Sequence, residues 1–79
     1  MLNQLEGLFN NNYKLVSRAE NVLEYVRKYR ELDRFEICVS KNEVYLSYPL
    51  TNTNCFMVLA KEKAYDLIKE RIEYYEKKY

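Results

Sequence analysis

Histidine is absent from the 79 residues. That excludes the Ser/His and Cys/His nucleophile systems, His-ligated zinc and the commonest general base. Gly7 is the only glycine and Pro49 the only proline. There is accordingly no phosphate-cradling loop of the P-loop or dinucleotide type, and the chain should consist of regular elements joined by short connections. Cysteine is scarce: Cys38 and Cys55 are the only thiols and form no CxxC, so neither a zinc site nor a thioredoxin-type site is indicated. Charge of one sign is not in excess either. Thirteen Lys/Arg stand against twelve Asp/Glu, interspersed along the chain, which argues against a strong basic patch. No apolar run approaches bilayer-spanning length. The start, Met1-Leu2-Asn3-Gln4-Leu5-Glu6, lacks the positive-then-apolar order of a signal peptide, and a cytoplasmic location is the expectation. No catalytic constellation emerges, so the reading is of a protein that is not an enzyme and needs neither cofactor nor metal.

What is present is one domain's worth of patterned sequence, residues 1–79. Leu2, Leu5, Leu8 and Phe9 have short helical spacing, interrupted by Asn10-Asn11-Asn12, and predict an N-terminal turn or short helix. A new helix start is expected near Asn12 or at Ser17, where Ser17-Arg18-Ala19-Glu20 fits a capping box. Leu15, Val16, Ala19, Val22, Leu23, Val26 and Tyr29 then recur at three- and four-residue intervals. They predict an amphipathic helix ending near Leu32, with Glu24–Lys28 and Arg27–Glu31 pairs on its solvated side.

The period then changes to two. Phe35, Ile37 and Val39 form one strand, Val44, Leu46 and Tyr48 a second, and Cys55-Phe56-Met57-Val58-Leu59 a third. With a turn at Lys41-Asn42, Val39 faces Val44, Ile37 faces Leu46 and Phe35 faces Tyr48. With a turn at Thr51-Asn52, Tyr48 faces Cys55, Leu46 faces Met57 and Val44 faces Leu59. Both turns place the same apolar set on one side. Cys38 and Cys55 then point to opposite faces, which rules out a disulfide between them. Helical spacing returns over residues 61–79, with Ala64, Tyr65, Leu67, Ile68, Ile72, Tyr75 and Tyr79 on the apolar face. The expected fold is α+β: a three-stranded antiparallel meander with two main helices on one face (α-β-β-β-α), plus the short N-terminal element.

The outer sheet face expected from this register brings Cys38, Tyr45 and Val58 into line with Phe56 beside them, less polar than a solvated face should be. Tyrosine is the one compositional excess, nine in all. Most would fill the edge of a small core, but Tyr25, Tyr45 and Tyr74 fall off the expected core faces and are candidate interface anchors. The functional expectation is a non-catalytic protein-binding module with Tyr45, Phe56, Val58, Cys38, Tyr25 and Tyr74 at its interface. Homodimerisation is one way of covering the outer face. In size and in its richness in Asn, Lys and Tyr, the chain is in character with small phage- or virus-encoded inhibitors of host enzymes or defence complexes, anti-CRISPR proteins included.

The alternative is nucleic-acid binding. The order α-β-β-β-α resembles the double-stranded-RNA-binding domain, and Ala60-Lys61-Glu62-Lys63-Ala64 resembles the Lys/Ala-rich start of that family's second helix. The resemblance implies phosphate contacts by Lys61 and Lys63. Arg27, Lys28, Arg30 and Arg34 form a second local basic cluster. The chain departs from that family in its two-residue first strand connection and its lack of histidine.

Overall fold

The computed structural model describes residues 1–51 and 53–78, and Asn52 and Tyr79, the latter assigned above to the apolar helix face, lie outside them. A short helix, α1 (Leu2–Glu6), is followed by five strands, β1 (Tyr13–Arg18), β2 (Val22–Arg27), β3 (Arg30–Val39), β4 (Glu43–Leu50) and β5 (Thr53–Ala60), and by the helix α2 (Lys61–Lys78). The strands form one antiparallel sheet in chain order.

This corrects the expected fold. The sheet has five strands rather than three, and residues 15–32 are not a helix but β1, β2 and the start of β3. The three- and four-residue recurrence in that segment is coincidental. The same residues are rich in the β-branched and aromatic types that suit strands, Val16, Val22, Tyr25, Val26 and Tyr29 among them. Within the segment the two-residue alternation of Leu23 and Tyr25 decides the outcome. Both pair onto β3, Leu23 opposite Ile37 and Tyr25 opposite Phe35, and so extend the apolar side of the sheet. The charged pairs assigned to a helix surface are made elsewhere: Glu24 with Arg34 and Arg27 with Glu76.

Asn10-Asn11-Asn12 opens a strand, not a helix. The Asn10 side-chain oxygen accepts from the Asn12 N–H at 2.8 Å, and its carbonyl accepts from the Tyr13 N–H at 3.1 Å, a side-chain-stabilised turn. Ser17 caps nothing, because the chain turns at Ala19-Glu20-Asn21, where the Ala19 N–H donates to the Val22 carbonyl at 3.0 Å.

The alignment of the last three strands is as the apolar pattern requires. Val39 faces Val44 and Ile37 faces Leu46 across β3–β4. Val44 faces Leu59, Leu46 faces Met57 and Tyr48 faces Cys55 across β4–β5. The inner side carries Leu23, Phe35, Ile37, Val44 and Leu46, all fully buried, and meets Leu5 of α1 with Ala64, Ile68, Ile72 and Tyr75 of α2 in one core. α2 packs over β4 and β5, and α1 against β2. α1 is tied down by Arg18, whose guanidinium donates to Glu6 at 2.5 Å and to Asn3 at 3.0 Å.

Pro49 sets the limit of the β3–β4 ladder. Ser40 donates its N–H to the Glu43 carbonyl, so odd-numbered residues of β4 turn their backbone groups toward β3. The missing N–H of Pro49 therefore falls on the β3 side, and pairing with β3 extends only to Ser47 opposite Glu36. Beyond that point the tips of the β2–β3 and β4–β5 hairpins diverge.

Candidate protein interface

Both helices lie on the inner side, so the outer side of the five-stranded sheet is open. Two cross-strand rows define it. Val22, Cys38, Tyr45 and Val58 form one row across β2–β5, and Glu24, Glu36, Ser47 and Phe56 form the next. Alternation places all eight side chains outward because their strand neighbours Leu23, Ile37, Leu46 and Met57 face the core. Tyr45 and Phe56 stack at 6.0 Å between ring centroids with 19° between planes. Phe56 is 65% exposed and Val58 50% exposed, a large apolar presentation for a domain this size. The Tyr45 hydroxyl donates to Glu43 at 3.2 Å. Glu36 stands in the adjoining row, where Glu24 is already paired with Arg34, so Glu43 and Glu36 give the apolar corner its acidic border.

Four of the sequence-predicted interface residues, Cys38, Tyr45, Phe56 and Val58, thus come together. Cys38 and Cys55 are free thiols; Cys38 is on the outer side and Cys55 packs partly against the core. Tyr74, 50% exposed, is on α2. It stands on the opposite side of the sheet layer from the patch, where Met57, Leu67, Glu70, Arg71 and Tyr74 line a groove of about 360 Å³. Tyr25 is not an anchor. It is only 8% exposed, faces inward, and stacks on Phe9 at 4.0 Å with rings 11° apart. Burial pushes its hydroxyl pKa upward, with the nearby Glu6 carboxylate adding to the effect. The error follows from the helix assignment, because period two puts Tyr25 with Leu23 on the core side. Val22, missed for the same reason, extends the Cys38–Tyr45–Val58 row.

The basic residues do not assemble into a patch. Arg27 is drawn to the inner side, donating to the Tyr13 hydroxyl at 3.2 Å and to Glu76 at 3.3 Å. Arg30 is held by Asp33 at 2.5 Å and Arg34 by Glu24 at 2.7 Å. The Lys61 ammonium donates to the Ser40 and Lys41 carbonyls at 3.3 and 3.4 Å, closing the β3–β4 turn. Lys28 and Lys63 are exposed on different elements, a hairpin turn and α2. The five-stranded order also removes the topological basis of the resemblance to the double-stranded-RNA-binding domain.

A second concavity, about 710 Å³ and lined by Arg30, Leu32, Asp33, Pro49, Thr53 and Asn54 among others, occupies the divergence created at Pro49. Its charged groups are structural. Asp33, buried, accepts from the Tyr75 hydroxyl in a short hydrogen bond and from Arg30. Burial, and then the Asp33 carboxylate, raise the Tyr75 pKa. Tyr75→Phe is expected to destabilise the fold by about 1–3 kcal/mol, since it takes a donor from a buried carboxylate. The shift of the urea midpoint at constant slope measures it.

Among the described residues there is no group of three or more Cys, Asp or Glu arranged to hold a metal ion, and no helix is long and apolar enough to cross a membrane. No family model, curated protein or solved structure matches this chain.

Proposed function

We propose that the chain is a non-catalytic protein-binding module that engages its partner through the outer corner of the sheet formed by Cys38, Tyr45, Phe56 and Val58. The observation that carries this reading is the exposed Phe56, stacked on the half-buried Tyr45 beside the exposed Val58, on the sheet face that neither helix covers. A sheet side that only meets water carries polar side chains, and stacked aromatics at the centre of an open patch are the residue types that supply binding free energy. The acidic border selects the partner's chemistry. It fits a protein surface with an apolar projection ringed by Lys or Arg, because opposite potentials at the rim raise the association rate and fix orientation. Blocking a host enzyme or a defence complex at such a basic-rimmed surface is the biological role this chemistry suits.

The test is affinity capture from the native host with the wild-type chain, Tyr45→Ala, Phe56→Asp and a control, Lys14→Glu, at an exposed position of β1 outside the patch. The same partner is expected with wild type and control, and at least tenfold less of it with the two patch variants, equivalent to about 1.4 kcal/mol or more. Equal recovery by all four chains, with the variants' circular dichroism unchanged, rules the patch out as the binding surface.

A further inference from the structure

The strand β5 has the composition of an interior strand and the position of an edge. Thr53–Ala60 reads Thr-Asn-Cys-Phe-Met-Val-Leu-Ala, with no charged residue, no proline and no glycine. Its register with β4 is continuous from Leu50–Thr53 to Glu43–Ala60, without a bulge. The sheet ends there. Proteins protect exposed strand edges with charges, prolines, bulges or a covering segment, and an unprotected apolar edge pairs with another strand. The other edge of this same sheet is protected. β1 carries Lys14 and Arg18, and its pairing is broken by a register shift between Leu15 and Ser17.

We propose that β5 pairs antiparallel with β5 of a second copy of this chain, forming a two-fold dimer with one continuous ten-stranded sheet. The backbone sets the register. Odd-numbered residues of β4 turn their hydrogen-bonding groups toward β3, so its even-numbered residues bond to β5. Their partners on β5 are Thr53, Cys55, Met57 and Leu59. The outward-facing N–H and C=O groups of β5 then belong to Asn54, Phe56 and Val58. A two-fold axis through Met57 sets Phe56 of each copy opposite Val58 of the other. These two pairs exchange about four backbone hydrogen bonds, and Asn54 reaches toward Ala60 of the second copy. The Asn54 carbonyl has a long contact, 3.5 Å, from the Thr53 hydroxyl, which strand pairing would displace.

Side-chain chemistry on both sides of the sheet agrees with a second copy as the occupant. On the outer side, each exposed Phe56 gains an apolar neighbour in Val58 of the other chain. On the inner side, the groove of Met57, Leu67, Glu70, Arg71 and Tyr74 meets its own symmetry mate. Glu70 and Arg71, adjacent and opposite in sign, are self-complementary about the axis, as an isologous contact requires. The dimer leaves Tyr45 on the outer face away from the new pairing and joins two outer corners into one apolar band. It therefore rests on, and deepens, the protein-binding reading given above.

The test is the solution mass of the full chain by light scattering or sedimentation over about a hundredfold range of concentration. Wild type is expected at twice the 9.7 kDa chain mass. Val58→Lys charges the edge, and Val58→Pro removes an N–H that faces away from β4, so the intramolecular ladder is spared. Both are expected to halve the mass without loss of secondary structure, whereas Val16→Lys on the β1 edge keeps the dimer. A wild-type mass of 9.7 kDa at every concentration, or dimers that persist in folded Val58→Lys and Val58→Pro, overturns the proposal. Tyr45→Ala separates the two readings, because it lies on β4 away from the edge. It should keep the dimer mass while losing partner capture. Full capture by a dimeric Tyr45→Ala rejects the binding patch alone, and capture lost in a chain that is always monomeric rejects the dimer alone.

Discussion

Phe35→Ala is expected to lower the stability of the fold by about 4–5 kcal/mol. Phe35 is fully buried on the inner side of β3. Its ring makes edge-to-face contacts with Phe9 at 5.6 Å, Tyr13 at 5.8 Å and Tyr75 at 5.4 Å. One side chain therefore joins the segment after α1, the first strand and the last helix. Truncation of a buried phenylalanine costs about 3–5 kcal/mol. The upper part of that range applies here, because aromatic pairs add about 0.5–1.5 kcal/mol each to the loss of buried area. A domain of this length has a total stability of about 4–12 kcal/mol, so the substitution removes between a third of the stability and all of it. Urea denaturation followed by circular dichroism gives the number. Leu32→Ala is the comparison: Leu32 is a large apolar side chain that is 90% exposed, and its truncation should change the stability by no more than about 0.5 kcal/mol. A Phe35→Ala loss below about 1 kcal/mol would mean that the aromatic cluster does not organise the core.

Phe35 also shows where sequence was sufficient and where it failed. From Phe35 to Leu59 the two-residue period is unbroken, each turn is two residues long, and a slip by one position would expose an entire apolar row. Only one alignment satisfies both hairpins, and it is the one observed from the turns to Glu36 opposite Ser47, the expected Phe35–Tyr48 pair falling beyond the end of the β3–β4 ladder. The Cys38–Tyr45–Val58 row was legible for the same reason. Upstream of Phe35 two periods compete. Leu15, Val16, Ala19, Val22, Leu23, Val26 and Tyr29 satisfy helical spacing as well as a helix would, while the strand signal lies in fewer residues. What decides between them is non-local. The β3 backbone requires a partner on the side away from β4, and Leu23 and Tyr25 supply it. A short segment read alone does not contain that requirement. The turn residues were the available clue, since Asn10-Asn11-Asn12, Asn21 and the exposed Tyr29 punctuate residues 10–30 too often for one long helix.

The same misassignment carried the candidate sites with it. Tyr25 looked solvent-facing on a helix and is buried in the sheet. Arg27, Lys28, Arg30 and Arg34 read as a local basic cluster, but the three arginines project to different partners, Glu76, Asp33 and Glu24. The residues at the β5 edge were visible in sequence as a strand apolar on both faces, and the expected meander already ended on that strand, as the observed sheet does. An apolar composition suited to a buried strand, standing at an edge, is the feature pointing to a second chain.

Alkaline pH is expected to unfold the protein, with the loss beginning near pH 10. Tyr13 and Tyr75 both have buried hydroxyls in the core. Burial pushes Tyr13 up to about 12, against the opposing hydrogen bond from Arg27, and burial together with the Asp33 carboxylate raises Tyr75. A raised tyrosine pKa means that the folded state holds its proton more tightly than the unfolded chain does. Below pH 10 both states are protonated, and the full stability contributed by these sites is present. Above it, the unfolded chain releases protons that the native state retains, and stability falls with a slope of about 1.4 kcal/mol per pH unit for each such tyrosine. For Tyr13 the fall continues until the folded value, about 12, is passed. Two such sites approximately double the slope, enough to consume a large part of the stability of a small domain across that window. Thermal melts between neutral pH and pH 12 should show a flat midpoint that drops steeply past pH 10. Tyr13→Phe removes one of the two groups and is expected to make the decline shallower by about 1.4 kcal/mol per pH unit, at the cost of the Arg27 hydrogen bond at lower pH. A variant whose alkaline slope matches wild type would show that Tyr13 ionises as freely in the folded protein as in the unfolded chain. Its burial beneath Phe9 and Phe35 would then not be the physical origin of the shift.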